Sequence, residues 1–471
     1  MVRTLTSAFA IGVAARITAQ VSSFALILVA SRALDLAEFG SYAIASALMV
    51  ITTTLVYTGI FHLILRTDDL DRDRDTFFLM QLAIGLTGAA IMAVTGLALG
   101  GPAAGGTALA LVALAPNPAL AALSAWMEAQ LVRQSRIRTT ALATLLAELV
   151  ALATSVAMFQ AGYKLEALIS GRYTSMAFIL LVYLAFLRRL PRLSFRRDSA
   201  RHGLQQAWPL WGSTSLGMLS NYGADLVLGA FLSPAAVGAY RAGSRVANTA
   251  ADVVLQPLGT ISWARFARLE SATHRPDIRA AWQENLALCA AILAPAMLSV
   301  CLLAPGIVSV LLDPSWGAAA GVVAILAMAR SIDSLTFLLE PTMTCLGKGR
   351  LQFLVRLCDA TLLVALLLAL GRSSAEAAAL AILAKSVVMG IVATWVMARA
   401  LALKPADLAE TLAPGIGLAL VCLSVILTVR AMPIEISQAH ALFATAGAVI
   451  VTWALAVAGL MRRRWLVLPT P

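Results

Sequence analysis

Four polar residues recur in one apolar stretch at intervals of four, three and four: Arg241, Arg245, Asn248 and Asp252. In a helix that spacing places all four on one face. The preceding stretch supplies Asn221 and Asp225, and the first stretch of the chain carries Arg16 about nine residues into its length. Arginine in such a setting suits phosphate recognition, because its planar fork donates paired hydrogen bonds, keeps its charge and gives up hydration more readily than lysine. The carboxylates suit ion pairing or the capture of a proton or cation. Asp225 lies ten residues before Ala235 and Arg245 ten after it. At about 1.5 Å per residue, the two reach similar depths across a tight hairpin, and Asp225 is expected to pair with Arg245 or Arg241. One arginine then remains for an anionic ligand. The alternative is that the whole stripe only holds two helices together.

A second cluster comprises Arg330, Asp333, Glu340, Arg356 and Asp359. Arg330 and Asp333 are spaced to pair within one helix, and Glu340 and Arg356 flank the Gly347–Arg350 turn at similar depths. An unpaired acid among Asp252, Asp333 and Asp359 is a candidate for a coupling proton or cation. Glu148, Arg172 and Lys385 are single charges in other apolar stretches. An ionisable group near the centre of a bilayer costs roughly 2.5–3.5 kcal/mol on insertion scales, so all of them are expected to face protein or water.

The elements that must position these groups are membrane spans. Fourteen stretches of about 20 apolar residues, the length that crosses ~30 Å of hydrocarbon as helix, lie near 7–30, 40–64, 76–99, 107–129, 139–161, 166–187, 207–232, 238–262, 284–311, 319–345, 351–370, 377–398, 411–429 and 439–461. Of the 35 Lys and Arg residues, 28 lie in the gaps and tails between these stretches, and 24 of those fall in every second gap. On one side lie Arg3, the triplets Arg66, Arg72, Arg74 and Arg133, Arg136, Arg138, six Arg between 188 and 201, and the later basic loops down to Arg462, Arg463 and Arg464. The opposite side holds Arg32, Lys164, Arg372 and Arg430. The positive-inside rule then puts both termini in the cytoplasm. The first stretch lacks a small-residue cleavage site and is expected to remain as a membrane helix.

A chain that is 60% hydrophobic, 13% charged and has a mean hydropathy of +0.87 cannot build a water-soluble surface at this length. Its net charge of +11 is spread over alternate loops instead of forming one basic face, which excludes a nucleic-acid partner and suits contact with anionic membrane lipids. The loops leave no room for a folded domain outside the bilayer. The four His residues lack zinc-hydrolase spacing, the five Cys residues lack a C-x-x-C pair, and Gly347-Lys348-Gly349-Arg350 lacks the spacing of a phosphate loop. No metal, cofactor or catalytic constellation is expected, and the chain is not read as an enzyme.

The plan is duplicated. Leu34 to Tyr42 reads LDLAEFGSY and Leu232 to Tyr240 reads LSPAAVGAY, four identities in nine at an offset of 198. Glycine in that loop allows close entry into the next helix, and tyrosine anchors at the interface. The offset carries span 1 onto span 7, and six spans per copy make the copies parallel repeats. The fold expected is an all-α polytopic membrane protein of about 14 transmembrane helices, with two parallel six-helix lobes and two extra C-terminal helices. The lobes are 1–187 and 207–398, joined by a basic cytoplasmic linker at 188–206 and followed by two more spans and a basic tail at 399–471.

Ser31-Arg32-Ala33-Leu34, Glu38-Phe39-Gly40-Ser41-Tyr42, Asp225 with Leu228-Gly229, and Val237-Gly238-Ala239-Tyr240 resemble the bacterial polysaccharide flippases, in the superfamily that also holds multidrug exporters and the lipid II flippase. The resemblance implies two six-helix lobes around a central cavity, lined chiefly by spans 1, 2, 7 and 8, that opens to each side in turn. It also implies a polyprenyl-diphosphate-linked oligosaccharide as cargo, moved from the cytoplasmic to the outer leaflet. Arg16, Arg241, Arg245, Asn221 and Asn248 are the substrate-binding candidates. Asp225, Asp252, Asp333 and Asp359 are the ion-pair or coupling candidates. In the lipid II branch the first helix carries an arginine facing the cavity, and Arg16 occupies the comparable place. The further first-helix arginine and aspartate of that branch are not evident, since the run here is Gln20-Val21-Ser22-Ser23, and that argues against lipid II itself. The resemblance implies a bacterial inner membrane, which the heavy use of Ala and Arg fits, and leaves room for other polysaccharide-assembly proteins as partners. The rival readings are a cation-coupled multidrug exporter of the same superfamily and a membrane polysaccharide polymerase. Such a polymerase is expected to carry a large outer loop, whereas the longest outer gap here is about ten residues.

Overall fold

The computed structural model describes residues 21–22, 24–67, 69–101, 105–187, 190–269, 275–432 and 437–462. Among them the regular elements are all helical. They are α1 (Phe24–Ala33), α2 (Leu36–Val56), α3 (Ile60–Arg66), α4 (Leu70–Ala98), α5 (Gly106–Leu114), α6 (Asn117–Arg133), α7 (Ile137–Gln160), α8 (Leu165–Leu187), α9 (Arg197–Phe231), α10 (Pro234–Arg268), α11 (Arg275–Leu311), α12 (Ala319–Asp333), α13 (Leu339–Cys345), α14 (Gly349–Leu370), α15 (Ala375–Ala400), α16 (Pro405–Ala431) and α17 (Gln438–Arg462).

Among the described residues, ten segments are long and apolar enough to cross a membrane: α2–α3, α4, α5–α6, α7, α8, α11, α14, α15, α16 and α17. The chain is an all-α polytopic membrane protein. The other expected spans differ for stated reasons. The described part of the first is α1, only ten residues; α9 and α10 are each 35 residues long but more polar; and the tenth is split into α12 and α13.

Two compact units divide the chain, Met1–Gly238 and Ala239–Pro471. In the first, α2 packs on α5 and α9, α4 on α6, and α7 on α8. Asp35 starts α2 with a capping box: its carboxylate accepts from the Glu38 N–H at 2.7 Å, and Glu38 accepts from the Asp35 N–H at 3.0 Å. The apolar run at 40–64 breaks at Gly59, whose φ of 66° only glycine adopts without strain. A side chain there would also strike the Trp211 indole, 2.7 Å from a Cβ. The carbonyls freed by the break find donors, as a membrane interior demands. Trp211 Nε1 donates to Leu55 O and Thr58 O at 3.0 and 3.1 Å, and Gln81 Nε2 to Val56 O at 3.3 Å. The α5–α6 break falls at Pro116 and Pro118, and Tyr173 Oη donates to Ala113 O beside it. The core beneath holds Phe77, Phe78, Trp126 and Tyr183.

In the second unit α11 packs against α12, α16 and α17, and α15 against α12 and α14. Pro295 lies inside α11 and cannot donate to the carbonyl four residues back, Ala291. Trp453 Nε1 of α17 donates to that carbonyl at 3.0 Å instead. Gly415 of α16 rests on Ala290, where a Cβ would come within 2.7 Å of backbone carbon. The two extra C-terminal helices thus dock on α11 one turn before Pro295. Residues 334–338 interrupt the tenth apolar run, so it is split in two as the fourth is.

Candidate functional site

The second unit brings the charges of four helices into one network. Asn248 Oδ1 of α10 accepts from Arg330 Nε of α12 at 2.6 Å. Arg330 reaches Asp333, one turn on, at 3.6 Å. The Lys385 ammonium, on α15, bridges Asp333 at 3.7 Å and Asp359 of α14 at 3.2 Å. Asp252 lies within Coulomb range of Arg330 and Arg245. Arg245, Arg330 and Lys385 against Asp252, Asp333 and Asp359 make a balanced set, which is how such groups are tolerated away from water. Lys385, read from sequence as a lone charge, is the cation on which two of the coupling candidates converge. Glu340 and Arg356 pair across the Gly347–Arg350 turn. Arg241 lies one turn before Arg245 on α10, and both are half-buried.

In the first unit Asp225 is 1% exposed on α9. Asn221 lies on the same helix, with its side chain outside the described set, and Arg16 lies outside the described residues. A group the sequence reading passed over is Glu128 of α6, flanked by the phenols of Tyr57 and Tyr183. Tyr57 Oη donates to Ser124 Oγ at 2.9 Å, and Arg172 lies within Coulomb range of Tyr57. Glu128 sits five residues before Arg133 at the end of its apolar run, so it passed for a flanking residue. Its spacing of four from Ser124 was the available signal. No group of three or more metal-ligating side chains occurs among the described residues.

Solved structures share this fold. The lipid II flippase MurJ in an inward closed conformation superposes with a TM-score of 0.77 at 11% identity, over 96% of this chain and 99% of that one. An inward-facing multidrug resistance MATE family transporter of the MOP superfamily gives 0.58 at 14% identity, over 82% and 94%. A MOP superfamily transporter from Pyrococcus furiosus gives 0.50 at 12%, over 83% and 93%. The chain therefore has the fold of the MOP superfamily of membrane transporters. The profile of the polysaccharide biosynthesis protein family matches residues 29–321, more than half of the chain, and the chain belongs to that family. A comparison with curated protein sequences found no match.

Proposed function

We propose that this protein flips a polyprenyl-diphosphate-linked oligosaccharide from the cytoplasmic to the outer leaflet of a bacterial inner membrane, by alternating access, during polysaccharide biosynthesis. The observation that carries the reading is membership of a polysaccharide biosynthesis family by a chain whose fold is that of membrane transporters. A second support is the polar face of α10, which presents arginine where a neutral cargo would need none. In this reading Arg16, Arg241 and Arg245 take the diphosphate and the amides of Asn221 and Asn248 add donors. The sugar occupies an aqueous space while the prenyl chain stays in lipid. Asp225 neutralises one arginine, and one acid among Asp252, Asp333 and Asp359 moves the coupling proton or cation. No residue is given a catalytic role. The charge asymmetry of the loops supports cytoplasmic termini, and the partners are the lipid-linked cargo, membrane lipids and other polysaccharide-assembly proteins.

The test is native mass spectrometry of the full-length protein with co-extracted lipids, wild type against Arg16→Ala with Arg241→Ala. Retention of a polyprenyl-diphosphate sugar by the wild type alone is the expected result. If neither protein retains it and both bind organic cations, the exporter reading replaces this one.

A further inference from the structure

The α12–α13 break leaves a hollow in the second unit. Where helix is missing after Asp333, a pocket of about 640 Å³ opens between the end of α12, one face of α15 and the start of α16, a volume in the usual range of small-molecule sites. Ile332 and Leu335 line one wall, Leu408 and Leu412 another. Gly390 forms the floor, since a Cβ there would meet Ile332 Cγ2 at 2.9 Å. The third wall is open. Ile391 is 67% exposed and Trp395 56% exposed, on a helix long and apolar enough to face hydrocarbon.

One end of this groove is cationic. The lining ends at Arg399 and Lys404, with the Arg399 guanidinium 4.6 Å over the Trp395 ring. The turn that brings them together is built on Ala402, which takes a left-handed φ of 52°. Leu403 N–H returns to Ala398 O at 2.9 Å, the closure of a Schellman turn that ordinarily uses glycine. The nearby acid Asp407 is already engaged, pairing with Arg279 at 2.7 Å and accepting from the Lys404 N–H at 2.7 Å. Two basic side chains and a tryptophan therefore stand at the mouth of an apolar slot, in one of the basic loops of the chain.

We infer that this groove holds an anionic phospholipid as a resident ligand, with one acyl chain in the slot and the phosphodiester on Arg399 and Lys404. Charge complementarity selects the headgroup: basic pockets between membrane helices favour anionic lipid at about 1 kcal/mol per cation, roughly thirtyfold for two. The site is separate from the arginines assigned to the cargo and does not depend on that assignment.

Delipidated full-length protein would be titrated with phosphatidylglycerol or phosphatidylethanolamine and the bound lipid counted by native mass spectrometry. Wild type should prefer phosphatidylglycerol by roughly tenfold to thirtyfold. Arg399→Gln with Lys404→Gln should erase the preference, and Ile391→Trp, which fills the slot with the cations intact, should lower retention of both lipids. Equal binding of the two lipids by wild type, or unchanged preference in the charge variant, overturns the proposal. So does selective loss from these variants of a co-purified polyprenyl diphosphate with phospholipid unaffected, which would make the groove a cargo site. Unfolding temperature in lipid-free detergent separates a folding defect from a binding defect, and the two variants change different walls of the groove.

Discussion

Replacing Lys385 with methionine removes one cation from between two carboxylates while keeping most of the side-chain volume. The ammonium sits 3.2 Å from Asp359 and 3.7 Å from Asp333. The three side chains are 13%, 26% and 20% exposed, so water screens them only in part. With an effective dielectric of about 20, the two attractions are worth about 5 and 4.5 kcal/mol before desolvation is subtracted. Desolvation takes back several kcal/mol per ion, leaving a net loss near 3 kcal/mol, in line with the cost of orphaning a buried charge. For a unit of this size that is a fall of roughly 6–12 °C in unfolding temperature. Cys289 and Cys422 are buried free thiols, so once the exposed Cys358 has been blocked a thiol-reactive dye reports unfolding of this unit. Lys385→Met with Asp359→Asn should regain more than half of the loss, because Asp333 keeps Arg330 at 3.6 Å while Asp359 no longer carries a charge. A single variant that unfolds within about 1 °C of wild type, or a double variant no better than the single, would refute the network as a stabilising element.

Other perturbations follow from the same coordinates. Trp453→Phe deprives Ala291 O of its donor and should cost about 1–2 kcal/mol; adding Pro295→Ala restores a backbone donor and should shrink that cost, read by the same thermal assay. Ala402→Gly relieves a left-handed alanine and should raise stability by about 1 kcal/mol, a sign opposite to most glycine substitutions in helical proteins. Asp35→Ala removes the cap of α2 and should cost about 1 kcal/mol, visible as faster amide exchange in its first turn. Gly59→Ala meets both a φ of 66° and the Trp211 ring and should cost about 2 kcal/mol or more, measured as loss of folded protein on heating.

The all-helical membrane fold and most of its spans were legible because apolar span length is a local signal. Arg330 with Asp333, and Glu340 with Arg356, were legible too, since one pair is a helical turn apart and the other faces across a short hairpin. The bridging role of Lys385 was not. Its partners lie 26 and 52 residues away on α14 and α12, and which way each helix is turned is set by packing that hydropathy does not encode. The breaks inside the runs at 40–64 and 319–345 were hidden for a related reason. Ser334-Leu335-Thr336-Phe337-Leu338 is nearly as apolar as the helices around it, and Trp211 and Gln81, which make the first break tolerable, come from other helices.

The repeated loop is the place where a weak sequence signal acquires a physical cause. Gly40 and Gly238 match across the offset of 198, and a glycine at the mouth of a helix reads from sequence as room for a tight turn. The two glycines meet each other. A Cβ on Gly40 would lie 2.8 Å from the Gly238 N and would strike the Pro234 carbonyl; a Cβ on Gly238 would lie 3.1 Å from the Gly40 N and would strike the Leu36 carbonyl. Leu36 and Pro234 are themselves separated by the same offset of 198, so the contact between the two glycine segments is reciprocal. A reciprocal contact tolerates no side chain on either partner. The identity across the repeat therefore follows from the helices touching at that point, and a change at either glycine should cost as much as the same change at the other. Gly40→Ala and Gly238→Ala compared for yield of folded protein test this. Equal losses are expected, and a large asymmetry would show that the two glycines serve different neighbours.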